Sequence, residues 1–360
     1  MVTRSSGSPA PVATRLLQVA MTLALLAGTW AAAGPDRHLD KPDAWFAGED
    51  GRRIAATILS FQSELGGWPK NLDTTARAFT GDRDELHPTY DNGATTDELR
   101  FLARAYNATH DEAYRAAFLR GLDHVLDGQY HNGGWPQSHP PGKGYPRHIT
   151  FNDNTMVRLM EFVREVSRDD RYAFVDGDRR ARAATAFDRG VECLLRCQVR
   201  VEGTPTAWCA QHDEVDFLPR PARSYEPVSL SGSESVAIAS MLMSLDDPSP
   251  EIVTAVDGAA AWFEKAKLSG IRVVTTKDPD GPRGISRTLV NDADAPALWA
   301  RFYEIGTNEP LLLDRDGNRR ASFGELSAER RSGYAWFGDW PRRLLEVDYP
   351  RWKARYATPR

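Results

Sequence analysis

The residues of this 360-residue chain best suited to chemistry lie in its oxygen-rich turns. Asp91 is followed by Asn92, and Asp153 is bracketed by Asn152 and Asn154. A hard cation such as calcium takes about six to eight oxygens from carboxylates, amide carbonyls and water, so Asp91, Asn92 and Asp153 on one face would form a partial cage open to a ligand's oxygens. The same residues also suit a plainer task. An Asp, Asn or Ser at the start of a helix caps it for about 1 kcal/mol, and Asp91, Asp153, Ser231 and Asp292 all stand where helices are expected to open. Two carboxylates on one face also allow inverting glycoside hydrolysis, with Asp91 and Asp153 as acid and base about 6.5–9.5 Å apart. Asp314-Arg315-Asp316-Gly317-Asn318 matches half of a calcium loop, lacks its closing glutamate and is read as a turn.

The elements that would position these turns are helices. Apolar residues recur at helical spacing through most of 51–265, as in Leu99, Leu102, Ala103 and Tyr106, or Met156, Leu159, Met160 and Val163. Two kinds of loop alternate between them. Gly-Gly-Trp-Pro stands at 66–69 and returns at 133–136, and Ala207-Trp208-Cys209 follows at a similar interval as a weaker copy. The polar turns led by Asp91, Asp153, Ser231 and Asp292 recur between them at comparable spacing. A period that holds two helices per repeat describes a ring of helical hairpins, an all-α incomplete (α/α) toroid, with equivalent helix ends gathered on one face. Helix N-termini on that face favour anions. Trp336-Phe337-Gly338-Asp339-Trp340 is expected to close the ring.

Composition bounds the partners. Acidic residues outnumber basic ones 50 to 45 with no basic run, which argues against a nucleic-acid binder. Residues 1–33 carry Arg4 and Arg15, no acidic residue and an apolar run ending in Ala31-Ala32-Ala33, the pattern of a secretory signal peptide. The run is too short for a stable membrane span. Export to periplasm or medium of a single domain, 34–360, acting as a monomer, is the resulting expectation. Three cysteines cannot make a disulfide framework; Cys193 and Cys197 share a helix face, as two buried thiols or as a bridged pair, and Cys209 lies in a loop.

Four longer motifs occur in order: Gly-Gly-Trp-Pro-Lys-Asn (66–71), Thr-Tyr-Asp-Asn-Gly-Ala-Thr-Thr (89–96), Ile-Thr-Phe-Asn-Asp (149–153) and Arg-Ser-Tyr-Glu-Pro-Val-Ser-Leu-Ser-Gly-Ser-Glu-Ser (223–235). With them the chain resembles the pectate lyases of polysaccharide lyase family 10, over residues from about 50 to 345. The resemblance implies an α/α toroid, Ca2+ as cofactor, polygalacturonate as substrate and anti β-elimination giving unsaturated oligogalacturonides. It implies Asp91 beside the metal, Asp153 as a second ligand, Asn92 adjoining the first, and Arg223 as the arginine that abstracts the proton. Arg220, just before it across Pro221, is the alternative base. Lys70 and Arg301 stand where substrate carboxylates are to be held, with Arg147, His148, Trp68 and Tyr225 as further substrate contacts.

The chemistry explains why such groups are needed. The C5 proton of galacturonate lies beside a carboxylate that is already negative, so its removal gathers charge that a metal and basic side chains must neutralise. Arginine is an awkward base because its free pKa exceeds about 12, and activity climbing well above pH 8 is expected. Besides the inverting hydrolase, a binding protein without turnover is the other reading, with Trp68, Trp135, Tyr90 and Tyr225 stacking on sugars or serving only as packing anchors.

Overall fold

The computed structural model describes residues 34–356; the expected export signal lies outside the described residues. Two leading helices, α1 (Asp43–Phe46) and α2 (Glu49–Ser60), precede three helical hairpins. These are α3 (Thr96–Thr109) with α4 (Glu112–Asp127), α5 (Thr155–Arg168) with α6 (Gly177–Cys197), and α7 (Glu234–Met243) with α8 (Pro250–Lys265). Helices α2, α4, α6 and α8 pack side by side in one row, and α3, α5 and α7 in a second row, which is the arc of an incomplete α/α toroid. The apolar stripes meet between the rows. Leu99 and Leu102 of α3, Phe118 and Leu122 of α4, and Leu159, Phe162 and Val163 of α5 are fully buried, each contributing on the order of 1.5–3 kcal/mol. Asp111, Asp176 and Ser249 cap α4, α6 and α8 by accepting hydrogen bonds from Ala113, Arg179 and Ile252 N–H groups.

Two repeated devices tie the arc together. Each aromatic turn sends a tryptophan under the preceding helix: the indoles of Trp68, Trp135, Trp208 and Trp299 donate to the carbonyls of Ile58, Val125, Leu194 and Phe263. All four rings are buried. A glutamine just past the end of α2, α4 and α6 then reaches across to the next helix of the row. Gln62 donates to Gly66 and Ala117 carbonyls, Gln129 to Gly133 and Ala186, and Gln198 to Thr206 and Ala255. One amide therefore satisfies a turn and a neighbouring helix at once. Gly133 is required in its turn, because its φ is +91° and an added Cβ would lie 2.0 Å from the Arg189 carbonyl oxygen.

The arc ends after α8. Residues 291–294 were expected to open a further helix, and the structure corrects this: Ile271–Lys277 and Ile285–Asn291 form an antiparallel hairpin, with Ile271 opposite Asn291. The β-branched run Ile271-Arg272-Val273-Val274-Thr275-Thr276 and the turn glycines favour a strand pair over a helix. Asp292 accepts from the Arg272 guanidinium and the Asp294 N–H instead of capping a helix. Beyond it, α9 (Ala328–Gly333) and α10 (Tyr349–Tyr356) complete the described elements. Trp336 is buried in a second apolar cluster with Tyr225, Phe302 and Leu311–Leu313, and Phe337–Gly338 pairs with Trp299–Ala300. Cys193, Cys197 and Cys209 are free, buried thiols.

Candidate active site

The turns before α3, α5 and α7 lie beside one another because short ladders stitch each to the next. Tyr90 N–H donates to the Gln137 carbonyl at 2.9 Å. Ile149–Thr150 pairs with Gln211–His212, and Leu230–Ser231 with Phe302–Tyr303. Gly232 N–H donates to the Arg301 carbonyl at 2.9 Å, an approach only glycine permits, since a Cβ there would lie 2.2 Å from the Ala300 carbonyl oxygen. The register sets Arg301 against the first turn of α7.

Asp91 and Asp153 are not helix caps. Helix α3 is capped through Thr95, whose N–H donates to Glu98 Oε2 at 2.8 Å, whereas Ser231 Oγ does accept from the Glu234 N–H at 3.0 Å and so fulfils the capping alternative. Both aspartates sit in single tight turns whose Asn92, Asp153 and Asn154 take left-handed φ of 55°, 51° and 61°, a conformation that Asn and Asp tolerate well. Asp91 is 3% exposed. Its Oδ2 accepts from Lys70 Nζ and from Gln137 Nε2, the latter at 2.7 Å. Its Oδ1 is buried and has no hydrogen-bond partner among the described residues. Asn92 is exposed. Asp153 accepts from Asn152 Nδ2 at 2.7 Å and from Arg301 Nη2 at 3.2 Å. Burial raises its pKa, the Arg301 charge works against this, and the negative charges of Glu234 and Asp91 push it further up.

Arg301 is nearly enclosed. It donates to the buried Glu234 carboxylate as well as to Asp153, and its guanidinium stands 5.1 Å from the centre of the Tyr334 ring. Burial opposes its charge, but the carboxylate of Glu234, with Tyr334 and Asp153, holds the guanidinium firmly protonated. Arg223 lies across Tyr334 from it: Arg223 Nε donates to Glu226 Oε2 at 2.8 Å, its Nη2 donates to Glu226 Oε1, and Tyr334 Oη donates to the same Oε1 at 2.9 Å. Arg220, the alternative base, is bound instead to Asp213 and Asp216 at 2.9 and 2.8 Å.

The remaining expected contacts divide. Lys70 joins the site through Asp91. Arg147 and His148 both hold Glu214, at 2.8 and 3.0 Å, with Arg147 half-exposed. Trp68 is corrected: with 0% exposure and its indole spent on Ile58, it offers no ring face to a sugar, and Trp135 and Tyr90 are equally buried. They are packing anchors. Tyr225 is also corrected, since it is 4% exposed and its ring is covered by the guanidinium groups of Arg223, Arg330 and Arg315. Sequence reasoning missed Gln137, Glu226, Glu234 and Tyr334. The repeat held a signal for the first: Gln137 follows Gly-Gly-Trp-Pro as Lys70 does, and the two side chains meet on the same oxygen of Asp91.

Residues 62–345 match the family model described as pectic acid lyase. A search of curated protein sequences gave no match. Among solved structures, a family 10 polysaccharide lyase from Cellvibrio cellulosa is similar at TM-score 0.74 and 33% identity, covering 88% of this chain and 95% of that one. A mutant of that lyase, in complex with trigalacturonic acid, matches at TM-score 0.75 and 33% identity, covering 88% and 96%. With a hairpin arc, four motifs in order and this extent of similarity, the chain belongs to the pectic acid lyase family, among the family 10 polysaccharide lyases.

Proposed function

We propose that this chain is an exported, calcium-dependent pectate lyase, a single catalytic domain (34–360) that acts as a monomer and cleaves polygalacturonate by anti β-elimination with Arg223 as base. The observation that carries the reading is the buried Asp91 carboxylate with one unpartnered oxygen among the described residues, set beside Asp153 and flanked by Lys70 and Arg301. A buried, orphaned carboxylate oxygen costs on the order of 1–3 kcal/mol unless something binds it. A hard oxygen donor of this kind fits calcium, with Asp91 and Asp153 as the protein ligands and Asn92 adjoining. When bound, calcium would supply Lewis-acid neutralisation of a substrate carboxylate. The trigalacturonic acid bound by the similar lyase supports the choice of polymer.

The chain's own residues would then work as follows. Lys70 and Arg301, both cationic, attract and orient galacturonate carboxylates, with Arg147 as an outer contact. Arg223 takes the C5 proton; the electrons of the C5–H bond form the C4–C5 double bond, and the C4–O4 bond breaks with its pair leaving on oxygen. That oxygen is protonated to give the new chain end. Because Glu226 holds the Arg223 guanidinium protonated, the base is available only in a small fraction at neutral pH, and activity should climb above pH 8.

The deciding experiment follows ultraviolet absorbance while the mature protein acts on polygalacturonate at alkaline pH, with calcium and then with chelator. The expected result is a rise in absorbance from unsaturated uronides that chelator abolishes and calcium restores. New reducing ends without that rise would replace the elimination with hydrolysis. Binding with neither signal would replace the enzyme with a binding protein.

A further inference from the structure

Glu226 and Tyr334 were not among the expected site residues, yet together they determine how Arg223 is held. Glu226 is 5% exposed and grips Arg223 through both carboxylate oxygens, while the Arg223 N–H also donates to Oε2 at 3.2 Å. This two-pronged contact fixes the plane of the guanidinium as well as its place. Tyr334 Oη donates to Glu226 Oε1 at 2.9 Å, and the ring of Tyr334 faces the Arg301 guanidinium. One phenol thus connects the arginine that holds substrate to the carboxylate that holds the base.

We propose that Glu226 and Tyr334 are positioning residues that set both the orientation and the proton affinity of Arg223, and so fix the pH range in which this lyase works. The inference rests on the reading of Arg223 as base. Physically, a carboxylate paired with a guanidinium favours its charged form, and a phenol donating to that carboxylate spreads its charge and weakens the hold. Burial would lift the Glu226 pKa, but Arg223 chiefly, with Tyr334, brings it below the ordinary carboxylate range, so it is ionised throughout the working pH. The other charged and titratable groups around Arg223 are Tyr225, 5.0 Å under its guanidinium, and Arg315 and Arg330, both over Tyr225 and both paired with Glu329. Arg315 and Arg330 disfavour a second cation nearby; Glu329 offsets them.

The test is the pH profile of kcat/KM on polygalacturonate for the wild type, Glu226→Gln and Tyr334→Phe, read as the pH of half-maximal activity. Glu226→Gln removes the charge that favours protonated Arg223, and its midpoint should move down by about one pH unit while kcat at its optimum falls about tenfold or more. Tyr334→Phe keeps the ring against Arg301 but leaves Glu226 a stronger acceptor, and its midpoint should move up, with KM little changed. Midpoints matching the wild type in both variants would overturn the inference, because a merely structural role lowers activity evenly across pH. If Glu226→Gln fails to fold by circular dichroism, Tyr334→Phe decides alone. Arg223→Ala is run beside them: turnover near wild type there overturns the base assignment itself, whereas loss of turnover with unmoved midpoints overturns only the role of Glu226 and Tyr334.

Discussion

Asp91 is the residue whose environment most needs explanation. Two donors, Lys70 and Gln137, crowd one of its oxygens while the other, buried, has no donor among the described residues. Polar satisfaction alone would not arrange it so; a carboxylate kept for a ligand would look this way. Asp91→Asn preserves the shape and removes the charge. It should weaken calcium binding, measured by titration calorimetry with calcium alone, at least about a hundredfold, and abolish turnover while helical circular dichroism is kept. Calcium binding at wild-type strength in this variant would remove Asp91 from the metal site. Asp91 and Asp153 stood out in the sequence because their polar turns are local, and Arg301 entered through the resemblance; the folded chain brings the three together. Gln137, Glu234 and Tyr334 did not stand out, because each acts on a residue far along the chain that only the folded ladders bring near. Trp68 misled for the converse reason: an aromatic in a glycine turn suits a sugar face or a helix end equally well until its burial is known.

At the level of elements, the hairpin repeat was legible from spacing, and the connection that keeps hairpins in step was not. A lone glutamine carries no helical signal, yet Gln62, Gln129 and Gln198 recur at nearly equal intervals and each bridges adjacent helices of one row. The fourth repeat departs where β-branched residues give a hairpin instead of helices, which a search for helical spacing passes over. The consequence of the bridges is testable at Gln129. Replacing it by Met fills much the same volume but removes the amide that bonds the carbonyls of Gly133 and Ala186. The Gly133 carbonyl loses its side-chain donor, while that of Ala186, inside α6, keeps its helical one, so the change should cost about 1–3 kcal/mol, seen as a lower urea midpoint with an unchanged slope. A midpoint equal to wild type would mean water replaces the amide and the bridge contributes nothing.

For the whole molecule, the fold has a pH dependence of its own, and it runs against the alkaline activity proposed for Arg223. Glu98, first-turn residue of α3, is buried with Thr74 and the Thr95 N–H on its carboxyl, and burial, with Asp97 beside it, raises its pKa to about 8. In the unfolded chain it would titrate near 4.5. Between those values the native state holds a proton that the unfolded state has released, so stability is fully present below about pH 4.5 and is lost as pH rises through 8. Asp97, raised by burial to about 6, acts in the same direction over a lower range. His124 and His212, both lowered by burial to about 4, act oppositely: they must be kept neutral, and their share of stability is lost as pH falls from 6.5 toward 4. Above pH 6.5 the histidines and Asp97 have only the tail of their titration left, and Glu98 dominates the slope. The wild type should therefore lose thermal stability between pH 6.5 and 8.5, on the order of a few kcal/mol, over the range in which the proposed arginine base would gain activity. Glu98→Gln, which can accept from Thr95 and donate to Thr74 without ionising, should flatten that slope and extend the half-life of the enzyme at alkaline pH. Equal slopes in the two proteins, followed by calorimetric melting at both pH values, would place the alkaline instability elsewhere and leave Glu98 as an ordinary capping residue.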